Sequence, residues 1–132
     1  MRNILSRMHA GLAWVILAAV VAQFFFAGLG LFGAAGFGAH RLTGSLIVPG
    51  SLILALLALA GRLGGAAIGL SALLFGLTLV QSLLVRGPSL VAALHPVNAI
   101  AILYVAQRLA STGWRAARSP ATDFTHAPAG VR

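Results

Sequence analysis

The stretch Gly11–Gly33, GLAWVILAAVVAQFFFAGLGLFG, decides the fold. It carries no charge over a length that exceeds the roughly 20 residues a helix needs to cross the hydrocarbon core of a bilayer. Arg2 and Arg7 precede it, as basic residues precede a secretory signal. The apolar part of such a signal is only about 7–15 residues, so this run reads as an uncleaved span. Trp14 near its start suits an interfacial anchor.

Three further apolar runs follow, and the predicted spans are residues 11–33, 39–60, 66–85 and 88–109. Glycines from Gly28 to Gly38 close the first turn, Gly61–Gly65 the second, and Arg86–Ser89 the third. Pro88 suits the first turn of the helix after it. Pro49 inside span two predicts a kink near 45–49, and Pro96 inside span four predicts a bend beside His95. Gly65 and Gly69, continued by Ala72 and Gly76, form a small-residue stripe, read as a contact face within the bundle. Residues 1–110 are thus expected to form an all-α integral membrane four-helix bundle, antiparallel and up-and-down. Residues 111–132 read as a disordered basic cytoplasmic tail, with Trp114 anchoring its start.

Composition excludes other classes. The 132 residues are 60% hydrophobic and 8% charged, against about 25% charged in a soluble domain. The nine basic residues are all arginine, and Asp123 is the one acid. A net charge of +8 raises nucleic acid as a partner, but the arginines are scattered between spans and form no basic face, so none is expected. The lipid bilayer is the expected partner. There is no cysteine, which excludes disulfides, thiolate metal sites and cysteine nucleophiles.

The arginines also set the topology. Arg2, Arg7, Arg62, Arg108, Arg115, Arg118 and Arg132 fall on one side of the predicted membrane, Arg41 and Arg86 on the other. The positive-inside rule then places both termini in the cytoplasm, with the chain multi-pass in its membrane. His40 opens span two and His95 lies near the start of span four, so both imidazoles fall in the outer half at similar depth. His9 and His126 lie on the opposite side.

Two histidines on parallel helices can ligate one haem axially. Gly44 one turn below His40, and Asn98 with Ala99 one turn below His95, leave room for a flat macrocycle. Arg41 and Arg86 can pair with its propionates. Gln23, in the middle of span one, reads as an interhelical hydrogen-bonding group or as the wall of a pocket. A lone histidine at a helix start is more often a cap or an interfacial residue, so it is the pair that carries the reading. A tetrahedral zinc site wants three or four ligands, and a proton-coupled transporter wants an intramembrane acid, which the spans lack.

The segments Val21–Gly30, His40-Arg41-Leu42-Thr43-Gly44, Leu79-Val80-Gln81-Ser82 and Ala93-Leu94-His95-Pro96-Val97-Asn98-Ala99 resemble a family of small bacterial four-span membrane proteins of unknown function. More distantly, the order of features resembles one four-helix half of bacterial haem A synthase, which carries an axial histidine on its second helix and another on its fourth. That resemblance implies one haem between His40 and His95. The acid preceding the second-helix histidine, the outer cysteine pair and the second bundle of that enzyme are missing from this sequence. The resemblance therefore implies a haem b held for electron transfer, with a redox partner protein, more than an enzyme. The alternative is a structural or accessory membrane subunit without cofactor, acting through helix packing, as a homo-oligomer for instance.

Overall fold

The computed structural model describes residues 2–118, and side chains over residues 3–113. Its helices are α1 (Arg2–Leu31), α2 (Gly38–Ala60), α3 (Gly65–Leu84), a single turn α4 (Ser89–Ala92) and α5 (His95–Arg118). Four segments are long and apolar enough to cross a membrane: Asn3–Leu31, Gly38–Ala60, Gly65–Leu84 and Ser89–Gly113.

Chain breaks come where local chemistry demands them. After α1 the Ala34 amide donates to Leu29 O and the Gly33 amide to Gly30 O, with Gly33 at φ 73°. This is a Schellman ending, which needs a left-handed residue just past the cap. The end of α2 repeats it, with Leu63 N–H donating to Ala58 O and Arg62 N–H to Leu59 O. There the left-handed residue is Arg62, at φ 48°.

Pro49 lies inside α2, which continues as one helical segment on both sides of it. The expectation at Pro96 turns out differently. Pro96 does not bend a continuous helix; the chain leaves the helix at Ala93 and Leu94, and His95 begins α5. The ring of a helical proline clashes with the carbonyl four residues back, here that of Ala92, the last residue of α4. Helix α5 also continues to Arg118, past the expected end at 109. The disordered tail was expected over residues 111–132; residues 111–118 are instead the last turns of α5, and residues 119–132 lie outside the described residues, as does the Trp114 side chain.

Helix α1 packs against α2 and α5, and α3 packs against the same two. Contacts run in opposite directions along neighbours: Ile16 meets Gly50 while Gln23 meets Gly44. The inward residues recur at helical spacing. They are Ala13, Ile16 and Val20 on α1; Ile47, Ser51, Leu54 and Ala58 on α2; Ser71, Leu74 and Thr78 on α3; and Ile102, Val105, Ala106 and Leu109 on α5. Where α1 and α3 begin, this core is filled, with Leu54, Leu74 and Leu109 almost fully buried. The buried Ser51 and Thr78 hydroxyls meet at 2.9 Å, and His9 Nε2 lies 3.0 Å from Ser71 Oγ. The glycine stripe is not part of this packing: a Cβ added at Gly65, Gly69 or Gly76 would meet nothing within 4 Å. The expected contact face within the bundle therefore points outward.

Candidate functional site

At the other end of the bundle the same inward stripes change composition. Beyond Val20 comes Gln23, beyond Thr78 comes Gln81, and the α2 stripe reaches back from Ile47 through Gly44 to His40. The α5 stripe likewise reaches back from Ile102 through Ala99 to His95. Small and polar residues here replace the leucines of the filled half. The result is a cavity of about 650 Å3 to which all four long helices contribute, from Val20, Gln23, Ala27 and Gly28 to Ala99 and Ile102. A volume of roughly 300–1,000 Å3 is usual for a small-molecule or cofactor site.

His40 and His95 face each other in this cavity, with ring centres 6.1 Å apart and ring planes at 61°. Their hydrogen bonds differ. His40 Nδ1 donates to the backbone carbonyl of Gln23 at 3.2 Å. Because that carbonyl can only accept, the proton sits on Nδ1 and the lone pair on Nε2. Phe37 packs edge-on against the same ring, centres 6.2 Å apart. A Cβ on Gly30 would come within 2.7 Å of the Phe37 ring, so glycine at 30 is what lets that ring settle there.

His95 is held by a relay. Asn98 Nδ2 donates to Leu77 O at 2.9 Å and to Gln81 Oε1 at 2.7 Å. This fixes the direction of the Gln81 amide. Gln81 Nε2 then donates to His95 O and reaches His95 Nε2, both at 3.1 Å. An amide N–H facing a ring nitrogen requires the lone pair there. The His95 proton is therefore on Nδ1, which is buried with no hydrogen-bond partner among the described residues, as is Gln23 Nε2.

Of the residues singled out in the sequence, His40, His95, Arg41, Arg86 and Gly44 all line the one cavity, and Gln23 joins them. Arg41 and Arg86 are the exposed cations on its lining. Asn98 is placed differently. It stands behind Gln81, its amide engaged with α3, and reaches the cavity only through that partner. Gln81 is the residue that sequence reasoning passed over. The signal was its place three residues beyond Thr78 on the stripe Ser71, Leu74, Thr78. Among the described residues no three histidine, cysteine or acidic side chains gather as a metal site.

Residues 23–88, half of the chain, match a family of unknown function (DUF6220). The match includes Gln23, His40, Gly44, Gln81 and Arg86 and stops short of His95. No curated protein and no solved structure matches the chain.

Proposed function

The chain belongs to that family of unknown function, and from this premise we propose that it is a multi-pass membrane protein binding one b-type haem between His40 and His95 for electron transfer. The observation that carries the reading is the 6.1 Å between the two ring centres across a cavity shared by four helices. Two imidazoles that share one metal at a metal–nitrogen distance of about 2 Å have ring centres roughly 6 Å apart.

The surroundings fit the group at His40, whereas at His95 the ring lone pair is engaged by Gln81 and must be released before it can ligate. A histidine ligand usually donates its other N–H to a carbonyl or carboxylate, which orients the ring; His40 does so to Gln23 O. Gly28 and Gly44 leave the cavity wall without side chains where a flat ring system needs room. Arg41 and Arg86 at the outer end supply the cations that two propionates need. Bound there, haem supplies reversible one-electron transfer between ferrous and ferric iron. The chain's residues would orient the imidazoles and neutralise the carboxylates. This sequence has no acid before His40 and no cysteine, so haem A synthesis is not part of the proposal.

The arginine distribution supports an antiparallel bundle with both termini cytoplasmic and the haem in the outer half, and the resemblance to a bacterial family is what favours the bacterial inner (plasma) membrane. The partner would be a redox protein, and the protein itself need not be an enzyme.

The test is an absorbance spectrum of the protein purified in detergent from haem-replete cells. A Soret band with sharp α and β bands on reduction is expected. It should be lost in His40→Ala and broadened or lost in His95→Ala. A folded, colourless protein that takes up no added hemin would sink the reading.

A second reading rests on one observation, the outward and open face at Gly65, Gly69 and Gly76. Small residues let helices approach closely, which suits a packing subunit that pairs with a second copy. Crosslinking in native membranes should then give a dimer weakened by Gly69→Leu, and an unchanged monomer would refute it.

A further inference from the structure

We infer that Gln81 is a positioning residue that competes with iron for His95, making His95 the exchangeable member of the ligand pair and His40 the permanent one. The inference rests on the haem reading above and concerns how that site is regulated.

A neutral imidazole has one N–H and one lone pair, and only the lone pair can bind a metal. At His40 the N–H is engaged by Gln23 O, and Nε2 keeps an unengaged lone pair. Ligation there costs no hydrogen bond. At His95 the lone pair on Nε2 already accepts from Gln81 Nε2, and Nδ1 carries the proton. Neither nitrogen of His95 offers a lone pair until the Gln81 amide is displaced.

Rotating that amide end for end does not solve the problem. Gln81 Oε1 is bound by Asn98, which is itself anchored on Leu77 O, and the second proton of Gln81 Nε2 is held by His95 O. The relay keeps a donor, and not an acceptor, aimed at the ring. An acceptor in that place would put the proton on Nε2 and leave Nδ1 with the lone pair. The net worth of one hydrogen bond corresponds to about a tenfold change in an equilibrium constant, so the His95–iron bond should be weaker than the His40 bond by about that factor.

A ligand bond weakened this way opens to a small neutral molecule that binds ferrous iron. Carbon monoxide is the probe. The full-length protein is reconstituted with hemin in detergent, reduced with dithionite and mixed with carbon monoxide in a stopped-flow spectrometer. The wild type should bind carbon monoxide as His95 dissociates. Gln81→Leu, which removes the competing donor but keeps the bulk, should bind it about tenfold more slowly. Asn98→Leu, which releases the Gln81 amide, should move the rate the same way. His95→Ala should bind carbon monoxide without the dissociation step. Should Gln81→Leu fail to fold, Gln81→Met and Asn98→Leu carry the comparison.

A purely structural role for Gln81 would alter stability without slowing carbon monoxide binding. A wild-type haem complex that refuses carbon monoxide, or equal rates in wild type and the Gln81 variants, overturns the inference and leaves the haem reading standing. A protein that takes up no hemin overturns both.

Discussion

A Cβ added at Gly44 would lie 3.6 Å from the Gln23 amide, an ordinary contact. Alanine therefore fits at 44, whereas the branched end of a leucine would extend into the cavity that His40 and His95 share. Gly44→Ala is expected to keep both the helical content and hemin uptake. Gly44→Leu is expected to keep the helical content by circular dichroism and to lose hemin uptake by absorbance titration. A Gly44→Leu protein that still turns red would show that the ligand does not lie against α2. At this scale the sequence was informative about His40, His95, Arg41, Arg86, Gly44 and Gln23, because rare polar groups and a missing side chain stand out in apolar runs. It was silent about the hydrogen bonds that make the two histidines unequal. Those depend on a carbonyl 17 positions from His40 and an amide 14 positions from His95.

Helix ends obey more local rules. Gly33 and Arg62 occupy equivalent places just past the caps of α1 and α2, both with positive φ. A residue with a Cβ pays a conformational cost of about 1–2 kcal/mol in that region. Gly33→Ala should therefore lower stability by about 1 kcal/mol and Arg62→Gly should raise it by a similar amount. Unfolding titrations from mixed micelles read both, and a stabilised Gly33→Ala would contradict the Schellman assignment. Proline positions were legible in the sequence, yet their outcome depended on neighbours. Pro49 is absorbed within α2, whereas Pro96 coincides with a turn that α4 begins, so there the break is complete and His95 becomes a helix start.

Across the whole molecule, a filled half and a cavity-bearing half divide the work. Leu54, Leu74 and Leu109 close the interior on one side, and glycine, alanine and amide side chains line it on the other. Truncating Leu74, whose side chain is fully buried, should cost about 2 kcal/mol or more by leaving a void. Because Leu74 is not part of the cavity wall, Leu74→Ala is expected to lower the unfolding midpoint while sparing hemin uptake, the reverse of Gly44→Leu. Loss of hemin uptake in folded Leu74→Ala would mean that the two halves are mechanically coupled.

The four long helices and the turns between them were determined by the sequence alone, because span length, apolarity and turn-forming glycine or proline are properties of neighbours in the chain. That His40 and His95 lie at the same end of the bundle followed from helix count and loop length; that their rings meet did not. Only the tertiary structure decided which side of each helix faces inward. A helix that is apolar all round gives no contrast between the side that packs and the side that faces outward. For this reason the Gly65–Gly76 stripe could be expected inside and prove to lie outside, and Gln81 could look incidental in the sequence and prove to hold His95.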